Sequence, residues 1–150
     1  MKKLKVYLDN CCFNRPYDEP ISTKIKLEIE SKLYIQEEIK KNNFDLVWSF
    51  ILDFENEENP YFEIKESIKE WKFIAKEFIE PIEEIRILSN NLRDKYGFSS
   101  KDSLHLACSI KAKCDYFITT DIKLIKKALY LSNIKVLNPI TFINLEDEND

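Results

Sequence analysis

LKVYLDNCC, residues 4–12, contains the first strand signal of the chain and the acidic residue that ends it. Its first five residues form an apolar run of strand length, and Asp9 ends that run. Similar runs follow at Phe44–Trp48, at Asp115–Thr119 and at Ile134–Leu137. Short runs rich in β-branched and aromatic residues are typical of strands, so the sequence predicts at least four of them.

Helical patterns separate these runs. The spacing of apolar residues predicts helices over Ile21–Lys41, Ser49–Asn59, Phe62–Ile79, Pro81–Tyr96, Lys101–Lys113 and Ile122–Leu131. Gly97 marks a helix end, and Ser99 and Ser100 provide N-caps for the next helix. Because strands alternate with helices, we predict a three-layer α/β/α sandwich around a mostly parallel sheet of four to five strands.

The bulk composition favours one globular domain. The chain has 150 residues, 44% of them hydrophobic, which is enough to bury a core. It contains no apolar run of membrane-spanning length, and its first residues do not resemble a signal peptide, so we expect a cytoplasmic protein. Phe142–Leu145 is expected to pack back onto the domain before an acidic tail at 146–150.

Charge and cysteine content limit the functional classes. The formal net charge is −4, and the last five residues carry four acids, so the remaining body is neutral. A neutral body excludes a general basic coat for nucleic acid. We expect the four cysteines to be reduced and mostly buried, with no zinc site.

Acidic residues follow the predicted strands. Asp9 ends the first strand and Asp121 follows the third, while Asp102 lies in the first turn of the helix before that third strand. Glu55 lies in the helix that leaves the second strand. The carboxyl ends of parallel strands share one edge of a sheet, where ligands bind. The sequence therefore predicts that these acids gather at one edge.

Clustered carboxylates are the ligands that Mg²⁺ and Mn²⁺ prefer, and two such ions can catalyse phosphodiester hydrolysis. Each acid also has a simpler explanation. Asp102 and Asp121 could serve only as helix N-terminal charges or caps, and Glu55 could be a solvated member of a Glu-rich helix. Asp9 has no evident capping role.

Three motifs resemble the PIN-domain family of metal-dependent ribonucleases, and the order and spacing match over 1–145. They are YLDNCCFNRPYD at 7–18, KDSLHLA at 101–107 and YFITTD at 116–121. The resemblance implies an α/β/α sandwich that hydrolyses single-stranded or structured RNA with Mg²⁺ or Mn²⁺, often as the toxin of a toxin–antitoxin pair. An antitoxin protein is then an expected partner.

Carried over by position, Asp9, Glu55, Asp102 and Asp121 would form the catalytic metal site. Thr120, together with Asn10 or Thr119, would hold metal-bound water or phosphate. Apart from the resemblance, Arg15 in the loop after Asp9 could bind a phosphate of the substrate. The chain departs from the commonest toxin pattern, because Asn10-Cys11-Cys12 stands where many members have a small Ser or Thr.

Other interpretations stay open at this point. Arg15 could pair with Asp18 instead of a phosphate, and His105 could be a packed or solvent-bonded side chain instead of a proton shuttle. Competing functions are a phosphoacceptor signalling domain, a PIN-like module that only binds a partner, and a structure-specific DNA nuclease. Apolar faces of Ile21–Lys41 and Phe62–Ile79 also predict a homodimer.

Overall fold

A computed structural model describes residues 3–14 and 22–149. Five strands lie in this part of the chain: β1 Leu4–Leu8, β2 Phe44–Ser49, β3 Glu77–Ile79, β4 Tyr116–Ile118 and β5 Lys135–Leu137. The helices are α1 Cys11–Asn14, α2 Thr23–Lys40, α3 Phe50–Glu57, α4 Phe62–Ile74, α5 Glu83–Tyr96, α6 Ser100–Lys111, α7 Ile122–Ala128 and α8 Pro139–Asn149. None of these helices is long and apolar enough to cross a membrane.

The strands form one sheet in the order β3-β2-β1-β4-β5, and all four pairings are parallel. The predicted parallel sheet flanked by helices is therefore confirmed, with five strands. The chain builds outward from β1 to β2 and β3, then returns to the other side of β1 for β4. This reversal places the switch in strand order between β1 and β4, where open α/β sheets bind ligands.

The second half of the central strand is fully buried. Val6, Tyr7 and Leu8 are at most 1% exposed. An almost continuous apolar run is what a strand needs when helices cover both of its faces. Asp9, directly after this run, thus lies in the middle of the carboxyl edge.

The helix predicted for Phe62–Ile79 is wrong in its second part. α4 ends at Ile74, and Ala75 has an extended ψ of 142°. The backbone N–H of Lys76 donates to the carbonyl oxygen of Leu46 at 2.9 Å, and Glu77 pairs with Val47 of β2. Strand pairing satisfies polar groups along β2 that a longer helix would leave without partners, so tertiary context overrides the helical pattern.

Short local signals set several helix ends near the site. Ser49, Ser99 and Asp121 cap α3, α6 and α7, each accepting a hydrogen bond from a backbone N–H three residues later. Gly97 ends α5 with φ at +75°, a left-handed conformation that glycine adopts without strain. At the C-terminus, α8 continues through 146–149, the region expected to be a tail.

Candidate metal centre

Asp9 is held in a fixed orientation at the carboxyl edge. Its backbone N–H donates to the carbonyl oxygen of Ile118 at 2.9 Å, extending the contact between β1 and β4 by one residue. One carboxylate oxygen accepts from Thr119 Oγ1 at 2.7 Å, and the other accepts from the N–H of Asn10 at 2.8 Å. Because each oxygen can accept more than one bond, the carboxylate keeps capacity for a cation.

Glu55 reaches the same place from α3. Ser49 fixes the start of this helix, because its hydroxyl accepts from the N–H of Leu52 at 3.4 Å. The Glu55 side chain is 18% exposed, and its Oε1 is hydrogen-bonded to Nε2 of His105. The carboxylate is thus anchored on one side and open to solvent on the other.

Asp9, Glu55 and His105 each bring one atom that could bind a metal ion, and these three atoms all lie within 4.8 Å of one another. Two of the four predicted acids therefore meet in one cluster, together with His105, which was not among the predicted metal ligands. Its position three residues after Asp102, on the same helix face, was the available signal.

His105 is a buried side chain with both ring nitrogens engaged. It is 2% exposed, and its Nδ1 lies 2.6 Å from the hydroxyl of Tyr7. That hydroxyl also lies 2.6 Å from Ser49 Oγ. Burial raises the pKa of Tyr7 well above its ordinary value, so the phenol keeps its proton. His105 is thus a packed side chain, as one of the two interpretations of the sequence expected. Its hydrogen-bond partners are protein groups and not solvent.

Asp102 and Asp121 lie outside this three-residue cluster. Asp102 is partly buried in the first turn of α6, and its N–H donates to Ser99 Oγ at 3.1 Å. Desolvation raises the pKa of the Asp102 carboxyl, and repulsion by Asp9 and Asp121 adds to the shift. Asp9 and Asp121 therefore lie close enough to Asp102 for their charges to act on its carboxyl.

Asp121 fulfils the capping role that the sequence left open. It is exposed, and its Oδ1 accepts from the N–H of Leu124 at 3.1 Å. Its own N–H donates to Thr119 Oγ1 at 3.1 Å. Since the same hydroxyl donates to Asp9, Thr119 connects the two aspartates.

Of the predicted substrate contacts, Thr120 lies beside the cluster and Arg15 lies outside the described residues. Thr120 Oγ1 donates to Cys11 Sγ at 3.3 Å, beside the cluster. A hydrogen bond from Cys12 lowers the pKa of the Cys11 thiol to about 7, and Cys11 is the least buried of the four free cysteines. Arg15, with its alternative partner Asp18, lies outside the described residues.

The donor set fits a hard divalent cation. Asp9 and Glu55 offer carboxylate oxygens within 4.8 Å of each other. Asp102 is close enough to Asp9 for the charge of Asp9 to raise its pKa. Among the described residues, the buried Oδ1 of Asn10 has no hydrogen-bond partner, so a further oxygen acceptor stands beside Asp9. Oxygen-rich sets of this kind suit Mg²⁺ and Mn²⁺ better than softer metals.

Comparison with known proteins gives a likeness of fold. No protein-family model and no curated protein matches the sequence. One similar solved chain belongs to the crystal structure of VapBC2 from Rickettsia felis bound to a DNA fragment from their promoter, with a TM-score of 0.60. The alignment covers 90% of this chain and 98% of that chain at 14% identity. At this identity the comparison shows the shared architecture alone.

Proposed function

We propose that this chain is a PIN-type, divalent-metal-dependent endoribonuclease that hydrolyses phosphodiester bonds of single-stranded or structured RNA. The observation that carries the proposal is the convergence of Asp9 and Glu55 within 4.8 Å at the centre of the carboxyl edge. Gathering like charges costs free energy. Burial raises the pKa of the neighbouring Asp102, and the charges of Asp9 and Asp121 raise it further. A bound cation would remove the cost of gathering these charges.

In this proposal Asp9, Glu55, Asp102 and Asp121 hold Mg²⁺ or Mn²⁺. When bound, the ion supplies Lewis-acid and water-activating chemistry for phosphodiester hydrolysis. The chain's own residues orient the ligands: Thr119 fixes Asp9, and His105 fixes Glu55. Asn10, Thr120 and Arg15 are proposed to contact the RNA backbone near the cleaved bond.

The experiment is cleavage of total RNA with Mn²⁺ and mapping of the new ends. We expect cuts that disappear with a chelator and in Asp9→Asn. The matched control is Asp45→Asn, because Asp45 lies near the opposite end of β2 and beside Lys5 of β1. Cutting that survives both the chelator and Asp9→Asn would contradict the proposal. Failure to cut RNA with any divalent ion would favour a PIN-like module that only binds a partner.

We further propose that the chain acts in the cytoplasm beside an antitoxin protein, as the toxin of a toxin–antitoxin pair. Support comes from the similar solved structure of VapBC2, which is bound to a DNA fragment from 'their' promoter and so contains more than one protein. The test is coexpression of this chain with the product of a neighbouring gene. A stable complex that suppresses RNA cleavage supports the pairing, and unchanged cleavage contradicts it.

A homodimer is part of the same proposal. Exposed apolar side chains stand on two helices: Leu27, Leu33 and Tyr34 on α2, and Phe62 and Phe73 on α4. Burying such faces against a second copy would remove apolar area from water. Light scattering should give twice the chain mass at micromolar concentration, and a monomer would contradict this part.

A further inference from the structure

We infer that Tyr7 and His105 are positioning residues, which form a buried hydrogen-bond chain from Ser49 that holds the Glu55 carboxylate toward Asp9. The inference rests on the proposed function, because it assigns these residues a role toward the proposed metal site. They lie far apart in sequence, on the central strand and on α6.

The geometry forms a continuous chain. Ser49 Oγ and Tyr7 Oη are 2.6 Å apart, and Tyr7 Oη and His105 Nδ1 are also 2.6 Å apart. Nε2 on the other side of the ring contacts Glu55 Oε1. Ser49, Tyr7 and His105 are at most 2% exposed, so water does not compete for these bonds.

Hydrogen-bond chemistry assigns the direction of the chain. The Glu55 carboxylate can only accept, so Nε2 carries a hydrogen and donates to it. In the neutral ring Nδ1 is then an acceptor, and the Tyr7 hydroxyl donates to it. In a protonated ring both nitrogens donate, and Nε2 still donates to Glu55. In either form the Nε2 lone pair is unavailable to a metal ion. His105 therefore orients a ligand and is not one itself.

The surroundings keep the ring in place. Phe117 stacks on Tyr7 with ring centroids 5.1 Å apart, and its ring meets that of His105 edge to face at 6.4 Å. A ring that cannot turn gives its hydrogen bond a fixed direction. Partners that orient metal ligands in this way typically contribute 10–100-fold to metal affinity.

Two substitutions of His105 distinguish the contributions of its two ring nitrogens. In His105→Gln the side-chain amide reaches the place of Nε2 and can still donate to Glu55. In His105→Asn the shorter amide reaches the place of Nδ1 and keeps only the bond to Tyr7. We expect Mn²⁺ affinity to fall by roughly 10–100-fold in His105→Asn and to recover most of that loss in His105→Gln. A merely structural role predicts equal affinity in both.

Tyr7→Phe supplies a test one bond further from the metal. We expect a smaller loss of Mn²⁺ affinity, and no additional loss when Tyr7→Phe is combined with Glu55→Gln, because the carboxylate that it orients is then already gone. If the two losses of Mn²⁺ affinity add in this double-mutant cycle, the proposed hydrogen-bond chain from Ser49 to Glu55 is wrong. Melts of each variant in chelator report folding, with Ile68→Val on α4 as a buried control that should keep full Mn²⁺ affinity.

A spectroscopic measurement separates positioning from direct ligation. Pulsed electron paramagnetic resonance of Mn²⁺ bound to the wild type should show no nitrogen coupling from a coordinated imidazole. A coupling that vanishes in both His105 variants would make His105 a ligand and overturn the inference while leaving the proposed metal site intact. A wild type that binds no Mn²⁺ would overturn the proposed function and the inference together.

Discussion

The four candidate acids fall into two pairs that are held in different ways. Asp9 and Glu55 are oriented by side chains from distant elements, Thr119 and His105. Asp102 and Asp121, in contrast, lie at the N-terminal turns of their own helices. A helix start accounts for an acid by itself. The buried Tyr7 and His105 side chains that lead to the Glu55 carboxylate have no such local explanation. Asp9 and Glu55 are therefore stronger evidence for a functional site than Asp102 and Asp121 are.

The largest expected effect is a loss of Mn²⁺ affinity at Glu55, which is oriented by His105 of another helix. Glu55→Gln should weaken Mn²⁺ binding by at least the roughly 10–100-fold that loss of a ligand's orienting partner costs. Glu57→Gln is the matched control, because Glu57 is on the same helix but pairs with Lys65 and Lys69 of α4. Titration of Mn²⁺ into both variants measures the difference. Equal affinities would place Glu55 among ordinary surface acids.

A second test asks whether Asp121 does more than cap α7. Asp121→Ala removes the acceptor of the Leu124 N–H and should lower the free energy of unfolding by about 1 kcal/mol. Asp121→Asn keeps an acceptor and should cost less. Chemical denaturation measures both, and Mn²⁺ affinity is measured alongside. If Asp121→Asn binds Mn²⁺ as the wild type does, the residue is a cap only.

The smallest effect concerns the pH dependence of stability at Asp102. Its folded-state pKa is raised above the ordinary 3.8, so the ionised carboxylate destabilises the fold. This cost is present at neutral pH and disappears as the pH falls through the raised pKa. In chelator, Asp102→Asn should therefore be as stable as the wild type or more stable at pH 7. That advantage should shrink as the pH approaches 4.

Denaturation curves at several pH values check this expectation. A capping role alone predicts the opposite sign, namely a loss of about 0.3–1 kcal/mol at pH 7 because a helix N-terminal charge is gone. A variant that is less stable than the wild type at pH 7, with and without Mn²⁺, would contradict the metal-site role of Asp102.

Most of the fold could be predicted because its signals are local. Apolar runs, Gly97 and capping residues such as Ser99 mark strand and helix boundaries without knowledge of the tertiary structure. β3 could not be found in this way, because Phe62–Ile79 continues a helical pattern across the true helix end at Ile74. Its three residues become a strand only through pairing with β2. Pro81 was a partial signal, since a helix usually ends at or before the residue that precedes a proline.

The site was only partly predictable for the same reason. The rule that ligands bind at strand ends identifies Asp9 from sequence alone. The contact of His105 with Tyr7 spans 98 positions, and it depends on how α6 packs over the sheet. Tyr7 also looks like an ordinary core residue of an apolar strand. Spacing along the chain therefore identifies the candidate ligands but not the residues that orient them.

A thermal or chemical melt with Mn²⁺ and with chelator tests whether Asp9 belongs to a metal centre. At about 100 times its dissociation constant, Mn²⁺ should stabilise the wild type by roughly 2.7 kcal/mol. The Asp45→Asn control should gain the same amount. At that concentration Asp9→Asn should gain only about 0.4 kcal/mol if its affinity is 100-fold weaker. An Asp9→Asn protein stabilised by Mn²⁺ as strongly as the wild type would contradict a metal centre at Asp9.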